Sequence, residues 1–259
     1  MNTFFAQLIL AVVQGLAEWF PISSSSHLAI VSRLLDYSLD LQFTVALHFG
    51  TLLAVCVYFR KEILDMIRDV LRLRFNTTHG KLGLYLVIAT IPAVLVGLLL
   101  KNFLESTFGN FSLMAFGLGI TGIILIIGSL SSGKRKLEGM TWGDAILIGL
   151  AQVASLFRGV SRSGSTMAVG LMRGLDERTA VTFSFLMSIP IVLGANVLEL
   201  GNATLPTSYI LPMIVSFVVG LCSIHVLIRF VLTSRRNLLW FGLYVLALAL
   251  GLGVWLLLA

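Results

Sequence analysis

Two clusters of polar residues interrupt a chain that is otherwise strongly apolar. The first runs from Gln14 to His27 and contains one carboxylate, four consecutive serines and one imidazole. The second, over 158–166, is rich in arginine, serine and glycine. Ionisable groups at membrane depth cost free energy, and they usually line a cavity or carry function. Together these residue types predict an active site for an anionic substrate that is carried by a lipid.

Glu18 is the single acid of the first cluster, and several kinds of chemistry are open to it. On a helix it shares one face with Gln14, four residues earlier. Its carboxylate could bind a divalent cation, act as a general base or balance a buried cation. A structural ion pair that holds the segment together is the alternative. Because serines and a histidine follow closely, we expect a functional role.

The serine run follows Pro21, which forces the chain out of the helix near Phe20. Serines after such a break can cap the next helix, but four in a row are more than capping requires. One of them is a candidate nucleophile, with His27 as its base or as the acid for the leaving group, and the others would bind phosphate oxygens. His48 and His225 lie among apolar residues and are interpreted as structural. The run consists of Ser23, Ser24, Ser25 and Ser26.

The second cluster has the composition of a phosphate-binding loop. Gly159 and Gly164 permit tight turns, and a helix that begins here would direct its N-terminus at an anion. Arg162 adds a permanent charge and a bidentate set of donors. A structural pair between Arg162 and Glu18 is the alternative, and the two roles could alternate as substrate enters. The hydroxyl donors are Ser161, Ser163, Ser165 and Thr166.

The composition identifies the chain as an integral membrane protein. Of its 259 residues, 58% are hydrophobic and 12% are charged, whereas soluble domains carry about 25% charged residues. Basic loops on the cytoplasmic side explain the net charge of +6, so this charge does not indicate a nucleic-acid partner. Six segments are long and apolar enough to cross a bilayer. They are 42–59, 82–100, 112–130, 179–199, 209–230 and 238–258.

Two further apolar segments, 3–35 and 142–175, are interrupted by the polar clusters. Irregular backbone persists at membrane depth only where it is buried in protein or faces a water-filled cavity. Both segments are therefore predicted to be re-entrant helical hairpins. The basic loop 60–81 predicts a cytoplasmic location for that connection, and threading the spans through it places both termini outside. The two hairpins then enter the membrane from opposite sides.

An internal repeat supports this inverted arrangement. A shift of 138 residues aligns Gln14 with Gln152, and Ser23 with Ser161. Inverted repeats that meet near the midplane are a common way to build a central polar site. The predicted architecture is one all-α membrane domain over 1–259, with six transmembrane helices and the two hairpins. The first repeat covers about 1–130 and the second about 140–259.

Three other polar features are interpreted as structural. Thr141 and Asp144 form a predicted capping box at the start of the second interrupted segment. Asn196 and Glu199, near the end of a span, could line the outward mouth, but the favoured interpretation is that their polar ends reach the membrane interface. The loop 60–81 has apolar residues at helical spacing, which predicts an amphipathic surface helix.

The two clusters resemble the signature motifs of the undecaprenyl-diphosphatase (bacitracin-resistance) family. The family's acidic box followed by Pro-x-Ser-Ser-x-x-His corresponds to Gln14, Glu18, Pro21, Ser23, Ser24 and His27. Its Gly-x-Ser-Arg-Ser-Gly-x-Thr box corresponds to Gly159, Ser161, Arg162, Ser163, Gly164 and Thr166. Length, span pattern and repeat agree over essentially the whole chain.

The resemblance implies a polytopic inner-membrane enzyme that hydrolyses undecaprenyl diphosphate to the monophosphate and inorganic phosphate. The implied site opens to the outer face and uses a divalent cation, Mg²⁺ or Ca²⁺. Metal binding or proton transfer falls to Glu18, nucleophilic or acid–base steps to Ser24 and His27, and diphosphate binding to Arg162. The predicted substrate-binding residues are Gln14, Ser23, Ser25, Ser161, Ser163, Gly164 and Thr166.

The chain departs from the family pattern at two positions. Gln14 stands where a glutamate is common, which leaves one carboxylate for a metal, and Ser26 stands where a glycine is common. The sequence leaves Ser24, His27 and water open as the nucleophile. The expected partners are the polyprenyl diphosphate lipid and the bilayer, with a homodimer left open and no nucleic acid. A transporter or flippase for a polyprenyl phosphate is the competing function, because inverted repeats and broken helices also build transporters.

Overall fold

The structure, a computed structural model, describes residues 3–107, 109–200 and 206–258, with the backbone alone at 105 and 198–200. Over these ranges the chain is helical, and its only β-type contact is an isolated bridge between Arg135 and Leu175. The predicted all-α class is confirmed. The helices are α1 Thr3–Ala17, α2 Ser24–Leu34, α3 Leu41–Tyr58, α4 Arg60–Leu71, α5 Thr78–Leu99, α6 Lys101–Ser106, α7 Phe111–Leu130, α8 Trp142–Ala154, α9 Arg162–Met172, α10 Glu177–Leu200, α11 Ile210–Thr233 and α12 Leu238–Leu258.

Six of these helices are long and apolar enough to cross a bilayer, namely α3, α5, α7, α10, α11 and α12. They confirm the six predicted spans, and their ends lie within four residues of the predicted ones. Half of the most apolar window is buried in α3 and α10, but only 17% in α12. Helices α3 and α10 are therefore central in the bundle, and α12 lies at its periphery.

The two interrupted segments each form a pair of short helices. The chain leaves the helix over 18–23 between α1 and α2, and over 155–161 between α8 and α9. We call these stretches the first break and the second break. In each pair the two helices pack against each other. Both breaks coincide with the polar clusters, whereas the re-entrant course of the pairs through a membrane stays a prediction.

The helices of the two short pairs recur at an offset of 138 residues. Shifting α2, Ser24–Leu34, by 138 residues gives the bounds of α9, Arg162–Met172. The packing crosses between the halves: α1 packs on α11, and α8 packs on α5. The last spans of the halves, α7 and α12, also pack on each other. Because each short pair rests on the other half, the two breaks are brought to the centre of one bundle.

Two local predictions are confirmed around the spans. The Thr141 side chain accepts a hydrogen bond from the Asp144 backbone N–H, and the Asp144 carboxylate accepts one from the Thr141 N–H, which is a capping box at the start of α8. The Asp144 carboxylate also pairs with Arg135 and Arg173, at 2.8 and 3.0 Å. The amphipathic segment after the first span is helix α4, which packs on α5.

Gly159 in the second break has a backbone conformation that other residues rarely adopt. Its φ is +92°, and a Cβ built there would lie 2.2 Å from the Met114 carbonyl oxygen of α7. We expect Gly159→Ala to destabilise the fold by about 2–4 kcal/mol, because it adds both backbone strain and a steric clash. Thermal unfolding of the purified protein in detergent measures the change. Gly119→Ala on the same α7 is the control, since its Cβ meets nothing within 4 Å; equal unfolding temperatures for the two variants would contradict the prediction.

Candidate active site

The two breaks meet at a cavity of about 310 Å³ in the centre of the bundle. Its wall combines polar side chains of the first break and α2 with those of the second break and α9. Helices α3 and α10 complete the wall with both polar and apolar groups. Residues separated by more than a hundred positions in the chain therefore face one space, as the repeat predicts.

The Glu18 carboxylate contacts polar side chains from both halves of the cavity wall. Its Oε1 lies 2.5 Å from Arg162 Nη2, which links the first break to the N-terminus of α9. Its Oε2 accepts hydrogen bonds from Ser24 Oγ at 2.7 Å and from Gln14 Nε2 at 3.1 Å. A carboxylate that accepts a short hydrogen bond from a serine is placed to act as that serine's base.

The Arg162 side chain is 14% exposed, and its buried Nη1 has no hydrogen-bond partner among the described residues. Nη2 is paired with Glu18. The guanidinium carbon lies 5.9 Å from the centre of the Trp19 ring, which limits its movement. Buried polar groups are normally hydrogen-bonded, so an unpaired buried donor indicates a ligand that accepts. A phosphate oxygen is a suitable acceptor.

Two helices begin at this cavity, and serines stand at both N-termini. Ser161 caps α9, and its Oγ accepts a hydrogen bond from the Gly164 N–H at 3.1 Å. Ser23 precedes α2, and its Oγ lies 3.0 Å from Ser26 Oγ. The partial positive charge of a helix N-terminus favours anions, and here two such charges converge. The cavity-lining serines of the two helices are Ser23, Ser24, Ser25, Ser161 and Ser163.

Three residues of the predicted substrate-binding set, Gln14, Gly164 and Thr166, lie behind the wall of the cavity. Thr166 Oγ1 donates to the Arg162 carbonyl at 2.8 Å and lies 2.6 Å from Ser184 Oγ. Gly164 does not make a tight turn: it lies in the first turn of α9, where a Cβ would stand 3.2 Å from Pro21 Cβ. The turn in this loop is made by Gly159 alone. Gly164 therefore allows the two breaks to approach each other closely.

The unusual backbone of the first break is at Ser23, where the sequence gives no glycine. Ser23 has φ 71°, in the left-handed region. Ser26, which replaces the common glycine, lies inside α2 with its side chain fully buried. Its backbone is not among the positive-φ positions. The departure at Ser26 therefore requires no conformational freedom that serine lacks.

The histidines are arranged differently from the sequence-based interpretation. His27 turns away from the cavity: its Nδ1 lies 2.9 Å from the Ser23 carbonyl oxygen and its Nε2 lies 2.8 Å from the Tyr244 hydroxyl. His48, interpreted as structural, lines the cavity with its Nε2 3.7 Å from Glu18 Oε2. A polar stripe in apolar α3, formed by Thr44, His48 and Thr51 at helical spacing, was the available signal.

Asn196 also lines the cavity, which agrees with the alternative left open by the sequence and not with the favoured interface position. It is 5% exposed, and its Nδ2 donates to the Val192 carbonyl at 2.7 Å. Its Oδ1 is buried and accepts no hydrogen bond from any described residue. Since phosphate oxygens cannot donate, this acceptor suits a cation, a water molecule or a protonated phosphate. The side chain of Glu199 lies outside the described residues.

The donors of the cavity fit a divalent cation that arrives with its substrate better than a preformed metal cage. No group of three or more His, Cys, Asp and Glu occurs among the described residues, and Glu18 is the one acid in the described wall. Hard oxygen atoms are present on Glu18, Ser24 and Asn196. Mg²⁺ commonly binds to one or two carboxylates together with substrate phosphates.

Comparison with known proteins agrees with the sequence motifs. A sequence model of the family described as "Bacitracin resistance protein BacA" matches residues 7–251. Relatives named undecaprenyl-diphosphatase include one from Gemmatimonas aurantiaca, 42% identical over 93% of this chain and 94% of its own. Another, from Thermosipho melanesiensis, is 37% identical over 92% of this chain and 94% of its own. The chain therefore belongs to the bacitracin resistance protein BacA family.

Proposed function

We propose that this protein hydrolyses undecaprenyl diphosphate to undecaprenyl phosphate and inorganic phosphate. The relatives named undecaprenyl-diphosphatase and the family match support this activity. One observation in the structure carries it: Glu18 stands between the Ser24 hydroxyl, at 2.7 Å, and the Arg162 guanidinium, at 2.5 Å, inside a polar cavity. A nucleophile, its base and an arginine that can bind the anion are then present together. A carrier would need only the arginine.

The diphosphate would be held by donors that converge on the cavity, and one of them, Arg162 Nη1, has no acceptor among the described residues. Arg162 Nη1 is free to bind a phosphoryl oxygen while Nη2 remains near Glu18. The N-termini of α2 and α9 add backbone N–H groups, and the cavity serines add hydroxyls. Such preorganised donors are worth most where charge develops on phosphoryl oxygens in the transition state.

Ser24 is the nucleophile in this proposal. Its Oγ attacks the terminal phosphorus while Glu18 takes the hydroxyl proton, and the bond from that phosphorus to the bridging oxygen breaks. Undecaprenyl phosphate leaves with the electron pair of this bond. Water then attacks the phosphoserine, inorganic phosphate departs, and the Ser24 oxygen regains a proton from Glu18. His48, 3.7 Å from Glu18, is close enough to exchange a proton with it through small movements.

A divalent cation, Mg²⁺ or Ca²⁺, is part of the proposal. Glu18 and Asn196 would hold it through Oε and Oδ1, together with oxygens of the substrate. When bound it neutralises charge on the phosphoryl oxygens. Because a single carboxylate is available, we expect the cation to bind more tightly in the presence of the diphosphate than alone.

The setting in the cell follows from the predicted orientation. The protein would lie in the inner membrane with both termini outside, and the two short helix pairs would be re-entrant hairpins. The cavity would open to the outer face, where the diphosphate could be hydrolysed and the lipid carrier returned to cell-wall synthesis. Basic residues at the start of α4, such as Arg60 and Lys61, support this orientation. A homodimer stays a prediction.

One assay tests the activity and its mechanism. Detergent-purified protein is supplied with undecaprenyl diphosphate labelled with ³²P at the terminal phosphorus, and phosphate release is followed with Mg²⁺, with Ca²⁺ and with a chelator. We expect cation-dependent release, transient label on the wild-type protein, and neither in Ser24→Ala. Release without labelled protein would favour direct attack by water. Movement of polyprenyl phosphate across liposomes without hydrolysis would favour the transporter.

Asn196→Ala tests the proposed oxygen ligand. We expect the cation concentration for half-maximal activity to rise about tenfold or more, since changes at metal-supporting residues typically cost 10–100-fold in affinity. Asn196→Asp should lower it, because a carboxylate binds the cation more strongly. Asn237→Ala is a matched control: Asn237 also donates to a backbone carbonyl, that of Phe230 at 2.7 Å, but lies outside the cavity. If the wild type, both Asn196 variants and Asn237→Ala need the same cation concentration for half-maximal activity, Asn196 is not a ligand of the cation.

A further inference from the structure

His27 and Tyr244 form a polar contact on the side of the first break that faces away from the cavity. The His27 Nε2 and the Tyr244 hydroxyl are 2.8 Å apart. Their rings are stacked, with centroids 5.8 Å apart and planes at 26°. Tyr244 belongs to α12, whose other side chains are apolar except for the indoles of Trp240 and Trp255. A hydroxyl in an apolar setting costs free energy unless it is hydrogen-bonded, and His27 provides such a bond for Tyr244.

The hydrogen-bond partners determine which nitrogen of His27 carries the proton. The Ser23 carbonyl oxygen can only accept, so Nδ1, 2.9 Å away, must donate to it. In the neutral imidazole the other nitrogen, Nε2, is then an acceptor, and the Tyr244 hydroxyl donates to it. Both ring nitrogens are thereby used in positioning, and neither is directed at the cavity.

The bond to Ser23 supports the strained residue of the first break. Left-handed backbone costs a residue other than glycine roughly 1–2 kcal/mol, and Ser23 has φ 71° and ψ 95°. The Ser23 carbonyl accepts from the backbone N–H of His27 at 3.2 Å and from the His27 ring Nδ1–H at 2.9 Å. The ring bond adds to the hold on this conformation. The next residue is Ser24, whose Oγ lies 2.7 Å from Glu18. The direction of the proposed nucleophile therefore depends on the turn that His27 holds.

Helix α12 contacts the first break at a second point on the same face. Phe241, three residues before Tyr244, packs its ring 5.5 Å from that of Phe20. The Phe20 contact lies before the turn and the His27 contact lies after it. Side chains three apart on a helix share a face, so α12 supports the break from both ends.

We infer that Tyr244 is a positioning residue for hydrolysis: by donating to His27 it sets the His27 tautomer that holds the Ser23 turn and directs Ser24 at Glu18. The effect on kcat rests on the proposed function, whereas the hydrogen-bond arrangement of His27 does not. A residue that acts in this way changes the alignment of the nucleophile more than the binding of substrate. Its removal should therefore lower kcat and leave KM nearly unchanged.

Tyr244→Phe is the test, since it removes the hydroxyl and keeps the ring. We expect kcat to fall about 5- to 10-fold, the effect of one hydrogen bond, with KM within twofold. Tyr58→Phe is the matched control: Tyr58 also pairs with a histidine, His225 Nδ1 at 3.2 Å, but neither residue lines the cavity. We expect Tyr58→Phe to keep the wild-type kcat. An unchanged kcat in Tyr244→Phe would overturn the inference.

A double-mutant cycle separates positioning through His27 from a general loss of packing. In a His27→Ala background, Tyr244→Phe should cause no further loss, because the two residues act in series. An equal loss in both backgrounds would overturn the inference. ¹⁵N NMR of the histidine side chains, with His27 assigned by its absence in His27→Ala, should show Nδ1 protonated in the wild type and mixed tautomers in Tyr244→Phe. A wild-type His27 protonated at Nε2 would also overturn it. If the wild type fails to hydrolyse undecaprenyl diphosphate, the proposed function fails while the NMR result still decides the hydrogen-bond arrangement.

Discussion

Arg162→Ala is expected to lower kcat for undecaprenyl diphosphate hydrolysis by at least about 100- to 1,000-fold. Removing one preorganised donor to a developing oxyanion costs this much in other enzymes, and Arg162 brings both a charge and an unpaired Nη1. Arg162→Lys should recover only part of the loss, because an ammonium cannot bind Glu18 and a phosphoryl oxygen with the planar guanidinium geometry. Steady-state phosphate release at saturating cation measures the effect.

The control for this variant is Arg33→Ala. Arg33 stacks on Phe111 and Trp255, with its guanidinium carbon 5.6 and 5.1 Å from the ring centres, and lies outside the cavity. We expect its activity to match that of the wild type. A hydrolysis rate for Arg162→Ala within a few-fold of that for Arg33→Ala would show that Arg162 does not stabilise the transition state.

Glu18→Gln is the second variant with a large expected effect, on both activity and stability. It removes the proposed base and a metal ligand, so we expect kcat to fall by about 100- to 10,000-fold. It also leaves the Arg162 charge buried without its partner, and breaking a buried pair in this way costs about 3–5 kcal/mol of unfolding free energy. Activity assays and thermal unfolding in the same detergent measure the two effects.

The double variant Glu18→Gln with Arg162→Met separates structure from chemistry. Removing both charges eliminates the unpaired buried cation, so much of the lost stability should return. The activity should not return, because the base and the anion-binding group are both absent. A double variant that regains hydrolysis along with stability would mean that the pair is only structural, the alternative that the sequence leaves open.

Some parts of the site could be predicted from the sequence because they depend on local chemistry. Pro21 and the serine run predict a break in an apolar helix, and the chain leaves α1 there. Glu18 and Arg162 are costly charges in apolar segments, and their pairing at 2.5 Å was one of the two expected roles. Such features are determined by the residue types themselves and their neighbours along the chain.

Other parts could not be predicted because they depend on which faces of distant helices meet. His48 and Asn196 are polar residues in long apolar spans, and they become part of the wall only because α3 and α10 pack beside the two breaks. His27 has polar neighbours in sequence, but its partner outside the first break is Tyr244, 217 positions away. Local spacing can mark a polar face, as it does around His48, but it does not specify which distant group that face meets.

By itself the sequence determined the membrane class, the spans, the positions of both breaks and the family. These follow from hydropathy, helix-breaking residues and motif chemistry, all of which act over short stretches of chain. Only the tertiary structure decided that the short helices of each half pack on the other half. It also decided that His48 faces Glu18 and that Gly164 and Thr166 lie behind the cavity wall. The physical reason is packing: the side chains that share a cavity are selected by the contacts of whole helices, which no local pattern of residues specifies.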